Sequence, residues 1–326
     1  MKILVTGGAG YIGSIVAAEL IRAGHDVTVY DSLVRGHRQA VHPAATFVQG
    51  DVGDKTTLER ILREGAFEAV MHFAAFIEAG ESMKRPERYF ANNTANALTL
   101  LSTMIEQGIK RFVFSSTAAV YGDPEYTPID EEHPLRPINA YGASKLMVEQ
   151  MLTWFNRIHG LGYAALRYFN AAGAAPPFGE DHRPETHLIP IILEVAMGQR
   201  DHLELYGTDY PTRDGTCVRD YIHVIDLARA HVLALEALRP GEQRVYNLGN
   251  GRGFTNREVL ETARRVTGRP IPVVEAPRRP GDPAILIASS DRIQQELGWM
   301  PEHPDLEDII ASAWAWRQEH PHGYSG

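Results

Sequence analysis

The sequence has little of what secreted, membrane or nucleic-acid-binding proteins usually carry. Its single cysteine, Cys217, rules out an intrachain disulfide and fits a reducing compartment. No apolar run reaches the roughly 18 residues that a membrane-spanning helix needs, and the N-terminus enters a strand pattern without a signal peptide. Runs of lysine or arginine are also missing, and the formal net charge is -9. We therefore expect no nucleic-acid partner, no membrane association and a cytoplasmic location.

The remaining composition is that of an ordinary globular enzyme. Hydrophobic residues make up 44% of the 326 positions and charged residues 22%. This length predicts one large domain and a smaller one. The sequence shows neither internal repeats nor low-complexity tracts.

The N-terminal 31 residues follow the order of a dinucleotide-binding fold. Residues 2–6 form an apolar run typical of a strand buried on both faces of a parallel sheet, and they lead into the glycine-rich turn Gly7–Gly13. Glycines let the backbone approach a pyrophosphate, which the start of the following helix binds through its N–H groups. Asp31, after the next strand, stands where such folds bind the adenosine ribose hydroxyls.

The same aspartate bears on which dinucleotide is bound. A carboxylate at Asp31 repels the 2′-phosphate of NADP and so favours NAD. Arg35 and Arg38, a few residues further on, leave NADP open as an alternative.

Tyr141 and Lys145 form a candidate catalytic pair. On a helix, residues four apart share one face with Cβ atoms about 5–6 Å apart, and a cation there stabilises a phenolate. Lowering the pKa of tyrosine from about 10 to about 7 requires roughly 4 kcal/mol, more than one lysine supplies. The hydroxyl of Thr117, a cationic nicotinamide ring and the helix N-terminus are candidates for the remainder. Tyr-x-x-x-Lys is also a common helical pair that has no catalytic role. The nucleotide-binding pattern at the N-terminus is what favours Tyr141 as a catalytic base.

The order of strands and helices predicts an α/β fold. It is a Rossmann-like doubly wound parallel sheet with a smaller mixed α/β C-terminal substrate domain. The alternation weakens in the alanine-, proline- and glycine-rich segment 171–185, which is typical of a domain boundary. We predict an NAD-binding domain over residues 1–170 with a return segment at about 216–248, and a second domain over 171–215 and 249–326, for which the family resemblance described next implies UDP-sugar binding.

Several strings distributed over essentially the whole chain carry a family resemblance. They are His72–Ala75, Gly80–Ser82, Ser115–Gly122, Tyr141–Glu149, Arg167–Asn170, Tyr210–Thr212, Val218–His223 and Tyr246–Gly249. Together with Gly7–Gly13 they resemble the extended short-chain dehydrogenase/reductase family, and within it the nucleotide-sugar 4-epimerases. Relatives that dehydrate nucleotide sugars carry an acidic residue just after the active hydroxyl, where Ala118 and Ala119 stand here. A dehydratase is therefore disfavoured.

The resemblance implies two sets of binding residues and no metal ligands. The residues implied to contact NAD are Gly7, Gly10, Tyr11, Ile12, Gly13, Asp31, Asp51, Val52, Phe73, Ala74, Asn92, Tyr141, Lys145 and Tyr168. The residues implied to hold a UDP-sugar are Thr117, Asn170, Leu188, Tyr206, Arg219, Arg279 and Asp282. Taken singly, Asp51 is equally compatible with a helix cap, Arg279 with plain surface and Tyr206 with the core.

The resemblance also implies a reaction. Tyr141 removes the proton from the sugar 4-hydroxyl, Thr117 hydrogen-bonds the same oxygen, and Lys145 binds the nicotinamide ribose. Hydride leaves C4 for NAD and returns to the opposite face, which interconverts UDP-glucose and UDP-galactose through a 4-keto sugar. The alternatives are an epimerase for UDP-pentoses or UDP-uronates, a net dehydrogenase, and a non-catalytic NAD-binding scaffold.

Three further expectations concern departures from the family pattern and assembly. Thr117 replaces a common serine, and Ile77 stands near a position where some members carry lysine. Leu286 aligns with a wall of the sugar pocket and is smaller than the tyrosine of strict members, so we expect tolerance for N-acetylated sugars. The helices predicted near 86–108 and 139–159 carry excess apolar surface, which predicts a homodimer or, equally, burial within the monomer.

Overall fold

The computed structural model describes residues 1–279 and 282–324. Pro280 and Gly281, part of the loop that precedes Asp282 in the predicted substrate site, lie outside the described residues, as do Ser325 and Gly326. Within the described ranges, no helix combines the length and the apolarity needed to cross a membrane.

Fourteen strands are present in the described part of the chain. They are β1 (Lys2–Thr6), β2 (Asp26–Asp31), β3 (Thr46–Gln49), β4 (Ala69–His72), β5 (Arg111–Thr117), β6 (Gly162–Tyr168), β7 (Asn170–Ala172), β8 (Leu203–Tyr206), β9 (Val218–Arg219), β10 (Tyr221–His223), β11 (Gln243–Leu248), β12 (Phe254–Thr255), β13 (Val273–Ala276) and β14 (Ile285–Leu286).

Helices connect most of these strands. They are α1 (Tyr11–Arg22), α2 (Lys55–Gly65), α3 (Ala79–Ser82), α4 (Pro86–Tyr89), α5 (Asn96–Glu106), α6 (Ala140–His159), α7 (Leu188–Ala196), α8 (Val224–Ala237), α9 (Asn256–Thr267), α10 (Asp291–Leu297) and α11 (Leu306–Glu319). A π-helical segment, Phe90–Ala95, joins α4 to α5, and short 3₁₀ turns cover Arg38–Ala40 and Ala118–Val120.

The principal sheet has seven strands in the order β3-β2-β1-β4-β5-β6-β11. The four pairings from β3 to β5 are parallel, with Val5 opposite Val29 on one side and Met71 on the other. This is the strand order of a doubly wound Rossmann sheet, in which ligands bind beyond the carboxyl ends of the strands. The predicted fold class is confirmed.

The chain divides into two compact units, each built from three segments. Unit 1 comprises residues 1–122, 135–167 and 228–246. Its core packs apolar side chains of β1, β4 and β5 against α2, α5 and α6, including Leu4, Val70, Phe112, Leu100 and Val148. Each of these side chains is fully buried, as a strand covered on both faces requires.

Unit 2 comprises residues 123–134, 168–227 and 247–326, of which the described residues form three small sheets. One joins β7 and β10, the second joins β8 and β13, and the third has the order β12-β9-β14. Its core contains Ile192, Val259 and Ile309, one side chain each from α7, α9 and α11. Strands of two or three residues are too short to show a period, which is why β7, β9, β10, β12 and β14 were not predicted from the sequence.

Helix α6, which carries the predicted catalytic pair, has clear signals at both ends. The side chain of Asn139 accepts the N–H of Gly142 at 2.8 Å and caps the first turn. At the other end Gly160 adopts a left-handed conformation with φ of 66°. The sequence therefore fixes where Tyr141 stands, in the first turn of this helix.

Candidate active site

The glycine turn between β1 and α1 makes a surface that backbone groups dominate. A Cβ on Gly7 would lie 2.4 Å from the amide nitrogen of Ala74, and one on Gly13 would lie 2.2 Å from the carbonyl oxygen of Gly7. Both glycines are therefore required by the packing of the turn itself. A Cβ on Gly10 would meet only the Gly7 oxygen, at 3.4 Å, within the described part of the chain. Gly10 thus keeps the N-terminus of α1 accessible, which fits a bound pyrophosphate.

Asp31 ends β2 with its carboxylate turned toward this surface. Oδ2 accepts the N–H of Ala9 at 3.0 Å and Oδ1 accepts the N–H of Leu33 at 2.8 Å. Burial raises the pKa of the Asp31 carboxyl, and the two backbone donors counteract that rise. A carboxylate has about four acceptor positions, so its geometry leaves capacity for ribose hydroxyls.

The two arginines that left NADP open are both engaged elsewhere in unit 1. Arg35 forms an ion pair with Glu78 at 2.9 Å, and the guanidinium of Arg38 lies 4.5 Å from the centre of the Phe47 ring. Their positions give no support to a 2′-phosphate site, and NAD remains the better fit.

The residues predicted beside the adenine follow β3. The carboxylate of Asp51 accepts the N–H of Gly53 at 2.7 Å, whereas Val52 is buried in the core of unit 1. The alternative role of Asp51 as a helix cap is wrong, because Asp54 caps α2 by accepting the N–H of Thr57 at 3.2 Å.

The remaining predicted nucleotide contacts in unit 1 lie after β4 and before α5. Phe73 is anchored by its N–H to the carbonyl of Thr6 at 2.8 Å, and Ala74 lies against Gly7. Asn92, in the π-helical segment, donates to the buried Asn93 at 3.0 Å. The structure thus gathers one set of predicted residues at the carboxyl ends of β1, β2 and β4 and the start of α1. They are Gly7, Gly10, Tyr11, Ile12, Gly13, Asp31, Phe73 and Ala74.

The three predicted catalytic residues come together where β5 ends and α6 begins. Thr117 is the last residue of β5, and its hydroxyl hydrogen-bonds to that of Tyr141. Lys145, one helical turn beyond Tyr141, is buried and donates from Nζ to the carbonyl oxygen of Ser115 at 2.8 Å. The amino group of Lys145 is therefore held in place at the end of β5.

The electrostatics of the pair differ from the sequence prediction. Burial raises the pKa of Tyr141, the negative charge of Glu78 raises it further, and the Thr117 hydrogen bond lowers it. Burial lowers the pKa of Lys145 to about 7. The net direction for the phenol is upward, opposite to the one that Lys145 alone was predicted to produce. Additional positive charge at this place is needed to make Tyr141 a base near neutrality.

Two buried arrangements behind the site were not foreseen in the sequence. The first is His72, whose Nδ1 lies 2.7 Å from the hydroxyl of Thr6. Burial, with a smaller contribution from Lys145, lowers the pKa of His72 to about 3. The imidazole of His72 near Lys145 is therefore neutral at physiological pH.

The second arrangement is a network that joins β5, α6 and β6. Ser116 donates to Glu149 at 2.5 Å, and Arg167 binds the same carboxylate through Nε at 3.0 Å and Nη2 at 2.5 Å. Arg167 also donates to the hydroxyl of Tyr121 at 3.0 Å. Because all four residues are buried, the network fixes the backbone beside Thr117. Its signal in the sequence is Arg167, a charged residue within the otherwise apolar and aromatic strand β6.

In unit 2 the structure assembles four of the predicted substrate residues as two pairs. Arg219 and Asp282 form an ion pair at 2.6 Å, and Arg219 also donates to the carbonyl of Val218 at 2.8 Å. The guanidinium of Arg279 lies 3.9 Å from the centre of the Tyr206 ring. Tyr206 is half-buried and Arg279 is exposed, so neither is a core residue of unit 2.

The other predicted residues of unit 2 have different surroundings. Asn170 donates to the carbonyl of Asp220 at 2.9 Å, Leu188 packs against the core of unit 2, and Tyr168 ends β6 half-buried. Asp220 was not selected from the sequence, although its Arg-Asp-Tyr string was. Its buried carboxylate joins two segments by accepting the N–H groups of Asn250 and Gly251 in one and of Ala288 in the other.

The fold and the glycine turn together define an NAD-dependent enzyme built on a Rossmann-like sheet. The chain belongs to the NAD dependent epimerase/dehydratase family, whose profile matches residues 3–249. This confirms the family resemblance drawn from the motifs.

Individual relatives are similar over nearly their full length. A UDP-glucose 4-epimerase of Streptococcus mutans is 55% identical over 329 aligned positions, which cover 99% of each chain. The structure of UDP-glucose 4-epimerase from Brucella ovis in complex with NAD is 45% identical, with a TM-score of 0.92 over 96% of this chain and 97% of that one. The enzyme from Bifidobacterium longum in complex with NAD+ and UDP is 38% identical, with a TM-score of 0.95 over 99% and 100%.

Proposed function

We propose that the protein is an NAD-dependent epimerase that interconverts UDP-glucose and UDP-galactose by inverting C4. The observation that carries this proposal is the convergence of Thr117, Tyr141 and Lys145 at the strand ends of a sheet whose first turn is shaped for a dinucleotide. Relatives named UDP-glucose 4-epimerase, one of them solved with NAD+ and UDP, support the assignment.

The residues of unit 1 fit NAD. Gly10 and the start of α1 would hold the pyrophosphate, Asp31 the adenosine ribose, and Lys145 the nicotinamide ribose. NAD, when bound, supplies the hydride acceptor for C4 of the sugar and later returns the hydride, so no net oxidation results. The positively charged nicotinamide ring would also stabilise the phenolate form of Tyr141 and so lower its pKa.

The protein's own groups carry the proton and position the oxygen. Tyr141 takes the proton of the 4-hydroxyl as hydride leaves C4 and gives it back after the sugar has turned. Thr117 hydrogen-bonds the reacting oxygen, and its stiff β-branched side chain keeps that hydroxyl in place. The Ser116–Glu149–Arg167–Tyr121 network fixes the strand that carries Thr117.

Unit 2 carries residues suited to a UDP-sugar. Arg219 and Arg279 provide the positive charge that a diphosphate requires, and the Tyr206 ring offers a face for uracil. The proposed substrate-binding set also contains Asn170, Leu188 and Asp282. The proposed nucleotide contacts also include Asp51, Val52, Asn92 and Tyr168.

A single assay tests this function. Purified protein is incubated with UDP-galactose without added cofactor, and the nucleotide sugars are separated by chromatography. We expect UDP-glucose to form, with NAD released in stoichiometric amount when the protein is denatured. Accumulation of NADH with a keto sugar would favour a net dehydrogenase. Exclusive turnover of UDP-pentoses or UDP-uronates would favour a different epimerase, and absence of bound dinucleotide would reject the proposal.

We further propose that the sugar pocket admits N-acetylated substrates. Leu286 is half-buried in β14, opposite Arg219 of β9 in the parallel register. Leucine at this place leaves more room than tyrosine. We expect L286Y to lose turnover of UDP-N-acetylglucosamine by at least about tenfold while turnover of UDP-glucose is retained, because one overfilled pocket position is worth about 1–3 kcal/mol. Equal loss for both sugars would contradict the proposal.

We also propose that the protein is a cytoplasmic homodimer. Leu98 of α5 and Met147, Trp154 and Ile158 of α6 are exposed, with exposures of 43%, 43%, 59% and 68%. The three residues of α6 recur at helical spacing and, with Leu98, form what we term the α5–α6 apolar face. Apolar faces of this kind mark association sites, and a twofold axis would pair the face with itself. The single buried cysteine supports a reducing compartment.

A further inference from the structure

Four potential metal ligands lie together at the start of α7, outside both proposed sets of binding residues. Glu180, His182, Glu185 and His187 each place a ligand atom within 4.8 Å of every other in this group, which we term the 180–187 cluster. They alternate along one short segment of unit 2 with spacings of two, three and two residues. This spacing matches none of the common metal-binding motifs, and the family resemblance implied no metal ligands.

The nitrogen–oxygen distances within the cluster lie on either side of those in a small tetrahedral ion site. Nδ1 of His187 lies 3.1 Å from Glu180 and 2.8 Å from Glu185, and Nδ1 of His182 lies 3.1 Å from Glu180 and 3.8 Å from Glu185. Zinc bonds of about 2.0–2.2 Å in tetrahedral geometry place neighbouring ligand atoms about 3.3–3.6 Å apart. The four side chains therefore need only small movements to surround one ion.

Burial and hydrogen bonding distinguish this cluster from an ordinary surface ion pair. The side chains of Glu180 and Glu185 are 9% and 3% exposed. Oε1 of Glu185 accepts the N–H groups of Thr186 and His187, whereas Oε2 is buried with no hydrogen-bond partner in the described part of the chain. That oxygen points at Nδ1 of His182 from 3.8 Å. A buried carboxylate oxygen without a donor is expected to have a cation as its partner.

The charge of the cluster leads to the same conclusion. Once an ion has displaced the imidazole protons that now face Glu180 and Glu185, two carboxylates and two neutral imidazoles carry a charge that one dication neutralises, and nitrogen and oxygen ligands of this kind suit zinc. We propose that Glu180, His182, Glu185 and His187 bind a divalent transition-metal ion, Zn²⁺ in the first place, as a closed structural site. The ion would tie the 180–187 segment to the start of α7, next to Leu188.

Direct metal measurement tests the proposal independently of enzymatic activity. Protein without a histidine tag is stripped with chelator, dialysed against Zn²⁺ and analysed for bound zinc. The test variant is E185Q/H187Q, and the matched control is H202Q, which changes an exposed histidine of the same unit. We expect stoichiometric zinc in the wild type and H202Q, and affinity at least about tenfold weaker in E185Q/H187Q. Zinc should also raise the thermal midpoint of the first two proteins only.

A second measurement on the unmodified protein covers the case in which the double variant fails to fold. Co²⁺ in a tetrahedral site absorbs visible light far more strongly than Co²⁺ in water. We expect the wild type to give the strong spectrum and Zn²⁺ to abolish it. A spectrum like that of free Co²⁺, or equal zinc binding by wild type and E185Q/H187Q, would overturn the proposal. Absence of epimerase activity together with the strong cobalt spectrum would count against the proposed function and support the metal site.

Discussion

At the scale of single residues, the phenol of Tyr141 lies among groups that keep it protonated. Burial and Glu78 raise its pKa, and Thr117 provides the opposing hydrogen bond. The same hydroxyl is proposed to act as the base. In the proposed mechanism the charge that ionises it comes with bound NAD, which couples the base strength of Tyr141 to occupation of the nucleotide site.

Replacing Tyr141 by Phe tests the base directly. We expect Y141F to lower kcat by about two to three orders of magnitude, because general-base catalysis typically contributes that much. The rate is measured with UDP-galactose, and bound NAD is measured after denaturation to show that the fold and the nucleotide site are intact. Y126F, which removes an exposed tyrosine hydroxyl, is the matched control and should retain activity. Near-normal turnover by Y141F would remove Tyr141 from the mechanism.

Lys145 gives a pH-dependent prediction. Its pKa falls from 10.5 to about 7 on burial, so between these values the unfolded chain binds a proton that the native protein lacks. The contribution of Lys145 to the free energy of unfolding therefore rises with pH above about 7. Below that value its contribution does not change with pH. K145M removes the contribution. We expect the nucleotide-free variant to be more stable than the wild type at about pH 7, with the advantage falling by roughly 1 kcal/mol per pH unit toward pH 10.

Thermal midpoints of the two proteins across this range check the prediction. K84M, which removes an exposed lysine, should show no such trend relative to the wild type. A difference between wild type and K145M that stays constant with pH would show that Lys145 remains charged in the native protein.

The residues that sequence reasoning found and those it missed differ in physical character. Tyr141, Lys145 and Thr117 were predicted because their chemistry and spacing mark them without knowledge of tertiary contacts. His72 and the Ser116–Glu149–Arg167–Tyr121 network were missed because their significance lies in burial, which brings together residues far apart in the chain. The effect of burial on the Tyr141 pKa was missed for the same reason, although burial is its largest cause.

At the scale of secondary-structure elements, the β1–α1 turn depends on Gly13. In G13A the new Cβ would lie 2.2 Å from the carbonyl oxygen of Gly7, and backbone cannot yield as a flexible side chain does. We expect destabilisation of about 1–3 kcal/mol, typical of overpacking, and at least tenfold weaker NAD retention. Thermal midpoints and released nucleotide measure the two effects.

Gly80 provides the matched control for this substitution. It lies in α3 without a positive φ, and a Cβ there would meet nothing within 4 Å in the described structure. G80A should therefore retain both stability and nucleotide. Equal behaviour of G13A and G80A would show that the turn can open to accept a side chain.

Element boundaries show how far sequence patterns extend. Strand β1 was predicted over residues 2–6 and helix α6 near 139–159, and the structure has them at Lys2–Thr6 and Ala140–His159, because apolar runs, caps and terminal glycines are local signals. The helix predicted near 86–108 contains the π-helical segment Phe90–Ala95, which no local rule indicates. The small sheets of unit 2 depend on partners distant in sequence, so pattern alone could not supply them.

At the scale of the whole molecule, the α5–α6 apolar face determines the assembly that we propose. W154E/I158K places charges at its most exposed positions, and a charge buried in an interface is costly without a partner. We expect the variant to be monomeric when the wild type is dimeric, as measured by light scattering during size-exclusion chromatography. M300K changes an equally exposed apolar residue elsewhere and should leave the dimer intact. A monomeric wild type would contradict the proposal.

The position of β11 in the principal sheet has a consequence for synthesis on the ribosome. This strand, residues 243–248, pairs with β6 at the edge of the sheet, yet it is translated after most of the chain. Until it emerges, the outer hydrogen-bonding groups of β6 lack their partner, and such an edge invites pairing with neighbouring chains. Nascent chains stalled before residue 243 should therefore recruit chaperones, and release from them should coincide with the emergence of β11.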